Sequence, residues 1–117
     1  MEVTIYHNPR CSKSRATLEL LESRGIEPTI VRYLETPPSP TELAALLNAL
    51  HMGPRDLLRT GEQEYRELGL DQAGMSDARL IEAMSEHPRL IERPIVVAGG
   101  QARIGRPPET VLEILPG

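Results

Sequence analysis

One cysteine, Cys11, stands in the segment His7-Asn8-Pro9-Arg10-Cys11-Ser12-Lys13-Ser14-Arg15, after a short apolar run and at the start of a helical pattern. That position suits a nucleophile. The first N–H groups of a helix have no partner within it, and together with the helix dipole they favour negative charge. His7, Lys13 and Arg15 are close in sequence and are expected to add positive potential. Such settings lower a thiol pKa from about 8.5 to roughly 3.5–7.5, which makes the reactive thiolate available at neutral pH. Cys11-Ser12-Lys13-Ser14 has CxxS spacing, so no disulfide can close within the chain. Any redox cycle must borrow an outside thiol. The Ser14 hydroxyl is placed to hydrogen-bond either the thiolate or a bound anion.

Arg59 and Arg106 stand beside turns, before Thr60-Gly61 and Pro107-Pro108, and Arg93 precedes Pro94 where the third strand opens. One arginine at a turn is ordinary solvated surface. Three of them near one sulfur would answer a specific electrostatic problem. A thiolate and an oxyanion about 4 Å apart repel by about 4 kcal/mol per pair of unit charges at an effective dielectric near 20. Helix N–H groups alone do not cancel that. Guanidinium groups do, because the planar fork holds two oxygens of a tetrahedral anion at once, where lysine offers a point charge. The alternative of a cysteine phosphatase fails on spacing. That loop needs five residues between cysteine and arginine, and here Arg15 follows Cys11 after three.

Elements that would position these groups are legible along the chain. Val3–Tyr6 reads as a strand, and Thr29–Leu34 as a second. Between them a helix starts at Cys11 or Ser12, with Ala16, Leu18, Leu20 and Leu21 as its apolar set, and ends at Arg24-Gly25. Strand, helix and strand make a βαβ unit with parallel strands. Ser39-Pro40-Thr41-Glu42 is a capping box with proline at the first helical position, followed by Leu43, Leu46, Leu47 and Leu50 at helical spacing. Short helices are predicted from Gly53-Pro54 to Arg59, from Glu62 to Leu68, and from Ser76 to His87-Pro88 with Leu80, Ile81 and Met84 inward. Arg93–Ala98 is the third strand, Gly99-Gly100 a hairpin turn, Gln101–Ile104 the fourth strand, and Pro108–Leu115 a last short helix.

The order β-α-β, helical insert, β-β-α is that of an α/β thioredoxin-like fold. It predicts a four-stranded mixed sheet with a helical insertion between strands 2 and 3, in one domain over residues 1–117. In that fold the third strand commonly opens on a cis proline facing the active cysteine. Pro94 is the candidate, at a cost of only about 0.5–1 kcal/mol for a cis X–Pro bond.

Composition excludes several classes. The 117 residues carry a net charge of −4 and contain no Phe or Trp, so neither a basic patch nor an aromatic stacking platform for nucleic acid is expected. One cysteine and three scattered histidines give no metal-ligand spacing. No run approaches the ~18 apolar residues of a membrane helix. Polar residues interrupt the first apolar run, and the lone thiol suits a reducing compartment, so a cytoplasmic location is expected.

Taken together these segments resemble the glutaredoxin-linked arsenate reductase family, the ArsC type, over essentially the whole chain. The loop from His7 to Arg15 looks like that family's active-site loop. Leu57-Leu58-Arg59, Ile91–Val97 and Ile104-Gly105-Arg106-Pro107 look like its three arginine segments. The Cys-Ser-Lys-Ser-Arg loop looks most like the YfgD-like branch, whereas better-studied members read Gly-Thr after the cysteine. The resemblance implies Cys11 as nucleophile, Arg59, Arg93 and Arg106 as catalytic oxyanion ligands, and His7, Ser14 and Arg15 as support for the thiolate. It implies arsenate as substrate and glutaredoxin as protein partner. Glutathione would be a co-substrate, and no cofactor would be bound. Two other readings use the same fold: an Spx-like regulator that binds RNA polymerase, and a general monothiol oxidoreductase acting on glutathione mixed disulfides. Neither needs the arginine trio.

Overall fold

The computed structural model describes residues 2–115. The chain falls into two compact units. One is a sheet unit built from the chain up to Thr36 and from Arg93 onward, and the other is a helical unit, Pro37–Glu92.

The sheet unit contains β1 (Val3–Tyr6), α1 (Ser12–Ser23), β2 (Thr29–Val31), β3 (Ile95–Ala98) and β4 (Gln101–Ile104), then a 3₁₀ segment, Pro108–Ile114. The strand order is β2-β1-β3-β4. β1 pairs parallel with β2, Ile5 opposite Ile30, and antiparallel with β3, Ile5 opposite Val96. β3 and β4 form an antiparallel hairpin. This is the expected mixed sheet, with the helical insertion between β2 and β3. The parallel pair needs a crossover, which α1 supplies. The hairpin turns on Gly99 and Gly100, at φ 59° and 79°. A tight two-residue turn of matching twist requires positive φ at both positions, and glycine adopts it without steric cost. The core is aliphatic: Val3, Ile5, Val96 and Ala98 of the sheet lie against Leu21, Val111 and Ile114.

Two local expectations are corrected. β2 ends at Val31, three residues before Leu34, because the Glu35 and Thr36 N–H groups both donate to the Arg32 carbonyl and turn the chain. On α1 the buried stripe is Ser14, Thr17 and Leu21; Leu18 and Leu20 are half-buried, and Ala16 is exposed. Spacing of three and four residues puts those buried positions on one face. Two are polar, so apolar periodicity did not reveal them. α1 closes in a Schellman arrangement, with Gly25 N–H on the Glu22 carbonyl and Ile26 N–H on that of Leu21.

The helical unit holds α2 (Pro40–Leu50), α3 (Pro54–Leu57), α4 (Gln63–Glu67), α5 (Asp77–Glu86) and a 3₁₀ turn, Pro88–Leu90. α2 starts in the capping box read from sequence: the Glu42 N–H donates to Ser39 Oγ at 3.1 Å, and the Ser39 N–H to Glu42 Oε1 at 3.3 Å. Leu43, Leu46, Leu47 and Leu50 are buried, and α5 packs against α2 and α3. On α5 the buried residues are Leu80, Ala83 and Met84, while Ile81, expected inward, is half-buried. An isolated antiparallel bridge joins Leu58 to Ile91. Among the described residues no helix is long and apolar enough to cross a membrane.

Candidate active site

β1 delivers the chain into the loop that carries the cysteine. The His7 N–H donates to the Val31 carbonyl at 2.8 Å, which extends the parallel pairing to the loop's first residue. Asn8 then folds the loop: its side-chain oxygen accepts the Arg10 N–H at 3.0 Å, and its carbonyl accepts the Cys11 N–H at 3.0 Å. Arg15 Nη1 donates to the Pro9 carbonyl at 2.9 Å. Arg15 is therefore an exposed brace on the loop.

Cys11 is the N-cap of α1, extended at φ −93° and ψ 123°, and only 8% exposed. Its side chain closes no full cap hydrogen bond. Burial pushes the thiol pKa up. The Ser14 N–H, the Arg93 guanidinium, the Lys13 N–H and the Arg106 guanidinium, in falling order, outweigh that and hold it below the ordinary thiol value. Lys13 thus acts through its backbone, and its ammonium is exposed. The Arg106 side chain reaches back across 95 residues of sequence: Nη2 donates toward Cys11 Sγ at 3.7 Å. Its Nε donates to the Arg93 carbonyl at 2.8 Å, so the two arginine segments are tied together beside the sulfur.

His7 takes a different place from the one read in sequence. Its Nδ1 lies 2.6 Å from Ser14 Oγ, and both side chains are buried. Ser14 Oγ also accepts the Asn8 N–H at 3.0 Å. One hydrogen is shared between Oγ and Nδ1, and the ring tautomer sets which of the two donates. Burial lowers the His7 pKa below its usual value, and the Arg32 and Arg15 charges lower it further. His7 is neutral at pH 7 and adds no positive potential, which corrects that expectation. Its contact is with Ser14, whose backbone N–H faces the sulfur while its hydroxyl is engaged by His7 and Asn8.

The Arg93–Pro94 peptide bond is cis, as is Arg106–Pro107. Pro94 is buried, and its carbonyl accepts the Gly105 N–H at 2.9 Å. Gly105 is wedged: a Cβ there would lie 2.5 Å from Thr17 Oγ1 and 2.9 Å from Pro94 Cγ. Sequence reasoning passed over Thr17 and Gly105. The available signals were the spacing of Thr17 between Ser14 and Leu21, and a glycine directly before the Arg106-Pro107 pair.

Arg59 belongs to the helical unit. It follows α3, its N–H donates to the Leu90 carbonyl at 2.8 Å, and it is half-buried. Its guanidinium stands between two carboxylates, Glu62 Oε2 at 3.6 Å and Glu92 Oε1 at 3.9 Å. Glu62 also pairs with Arg89 at 3.3 Å.

Strand order, pairing and a sulfur at the tip of the first helix are those of a thioredoxin-like thiol protein, here with Ser14 where a dithiol member has its second cysteine and the Arg106 guanidinium beside the sulfur. The model of the ArsC family matches residues 6–114, and the chain belongs to that family. It is 53% identical over 116 residues to an arsenate reductase of Haemophilus influenzae, covering 98% of this chain and 100% of that relative. It is 56% identical over 115 residues to the Escherichia coli protein named "uncharacterized protein YfgD", covering 97% of each. Among solved structures, that of an arsenate reductase from Vibrio cholerae superposes with a TM-score of 0.96 at 58% identity, over 98% of each chain.

Proposed function

We propose that this protein reduces arsenate to arsenite through a covalent adduct on Cys11, with glutathione and glutaredoxin as the outside thiols. The observation that carries the reading is the Arg106 guanidinium 3.7 Å from Cys11 Sγ, tied to the Arg93 segment. A thiol of lowered pKa beside fixed cations attracts an oxyanion and attacks its central atom. Relatives named arsenate reductase, matched over nearly their whole length, support arsenic as that atom.

In the first step the thiolate forms a sulfur–arsenic bond and an oxygen leaves as water after taking up protons. This is covalent catalysis by an activated sulfur. The guanidinium groups of Arg93 and Arg106 hold the remaining oxygens and offset the charge on them. Glutathione then attacks the adduct, and glutaredoxin resolves the mixed species as arsenite departs. In balance, two thiols become one disulfide while As(V) takes two electrons to become As(III). A chain with a single cysteine needs this outside supply. Arg59 enters as an anion ligand from the family resemblance. A cytoplasmic setting, where glutathione is reduced, follows from the same chemistry.

Arsenate-dependent NADPH oxidation, coupled through glutathione, glutaredoxin and glutathione reductase, tests the reading. Cys11→Ser should abolish it. Arg93→Lys should lower kcat by about 10-fold or more, because the second donor of the fork is lost. Arg59→Lys should act in the same direction. A wild-type protein that turns over a glutathione mixed disulfide but not arsenate would favour the general oxidoreductase instead.

A further inference from the structure

The buried face of α1 carries a hydroxyl that the reaction at the sulfur does not use. Thr17 is fully buried and lies on the same helix that Cys11 caps. Its Oγ1 donates to the Lys13 carbonyl at 2.8 Å, so its rotamer is held. Gly105 occupies the space against that side chain. A Cβ on Gly105 would meet Oγ1 at 2.5 Å and Cγ2 at 3.2 Å, with Pro94 Cγ at 2.9 Å. The glycine backbone therefore rests on Thr17 and Pro94 together, and its N–H is anchored on the Pro94 carbonyl at 2.9 Å. Arg106 is the next residue, with Nε on the Arg93 carbonyl and Nη2 toward the sulfur.

We infer that Thr17 is a positioning residue: its side chain sets the level at which Gly105 rests on α1, and so the distance from the Arg106 guanidinium to Cys11 Sγ. One helix carries both the sulfur and the seat for the arginine segment, so the two are held in common register. Oxygen accepts a closer carbon neighbour than a methyl group does, since carbon pairs settle only at about 3.5–4.0 Å. Replacing Oγ1 by a methyl group lifts Gly105 by a few tenths of an ångström, and a Cβ on Gly105 lifts it further. Misplacing an active-site group by about 1 Å can cost 100-fold in rate, so shifts of this size register in the chemistry. The inference rests on Cys11 as the nucleophile of the proposed function, but not on arsenate being the substrate.

The test compares Thr17→Val, Thr17→Ser and Gly105→Ala in the full chain, with thermal melting to establish folding. The first readout is the pH profile of Cys11 alkylation by iodoacetamide. The second is kcat and KM in the arsenate assay. Thr17→Val should move the alkylation midpoint upward and lower kcat by about 3- to 10-fold, with KM changing less, as expected for sub-ångström displacement. Thr17→Ser keeps Oγ1 and should stay near wild type, while Gly105→Ala should shift both readouts further than Thr17→Val. A folded Thr17→Val protein with a lower melting temperature but an unmoved alkylation midpoint and kcat has lost only packing, and overturns the inference. Should Gly105→Ala not fold, the Val and Ser pair decides alone. Should wild type not turn over arsenate, the alkylation profiles still decide, and the two failures remain separate.

Discussion

Removing the Arg106 charge should raise the Cys11 pKa by about one unit. The guanidinium Nη2 lies 3.7 Å from Sγ. Opposite unit charges at about 4 Å attract by about 1 kcal/mol in bulk water and about 4 kcal/mol at an effective dielectric near 20. Arg106 is exposed, although the sulfur is not, so solvent screens the pair and the lower end applies, about 1–2 kcal/mol. At 1.36 kcal/mol per unit this is about one unit for Arg106→Ala. The assay is the rate of Cys11 alkylation by iodoacetamide across pH 5–10, with Cys11→Ser as the blank. Only the thiolate reacts, so a pKa raised by about one unit lowers the rate by nearly 10-fold at pH below both pKa values, and the profiles converge above both. The difference should also shrink in concentrated salt, because an exposed charge is screened. An Arg106→Ala profile superimposable on wild type, or one displaced to lower pH, would refute Arg106 as a partner of the thiolate.

Ser14→Ala should cost roughly 1–3 kcal/mol of stability, because it strands the buried His7 Nδ1 and the Asn8 N–H together; chemical denaturation with an unchanged m-value would measure it. His7 supplies a pH dependence whose sign follows from its lowered pKa. The unfolded chain binds a proton at about pH 6.5 and the folded chain only at lower pH, so stability is full above about pH 6.5 and is lost as pH falls through the folded value. Denaturation midpoints between pH 7 and 5 should show this loss. His7→Asn, which keeps a hydrogen-bonding group near Nδ1 and cannot titrate, should flatten the slope, and an unchanged slope would place the titrating group elsewhere.

Much of the architecture was legible because it is local. Ser39-Pro40-Thr41-Glu42 specifies its own capping box within four residues. Gly99-Gly100 declares a hairpin because few other residues take positive φ twice in succession. Alternation along β1 and the four leucines of α2 follow directly from strand and helix periods. The errors have an equally physical origin. Hydrophobic residues running on to Leu34 favour a longer β2 than the structure has, while the turn closed by the Arg32 carbonyl depends on backbone bonds that composition does not advertise. Apolar spacing misplaces the buried face of α1 because its members include a serine and a threonine, acceptable inside only when their hydroxyls find partners.

From its residues alone, then, the chain determined a lone thiol at a helix tip, a β-α-β start and a glycine hairpin, since each is settled by neighbours within a few positions. Tertiary structure decided which charges meet that thiol. It made His7 a neutral partner of Ser14, turned Arg15 into a loop brace, and brought Arg106 to the sulfur from 95 residues away. The reason is that electrostatic environment is set by distance in space and by what burial leaves solvated, and neither quantity is a function of separation along the chain.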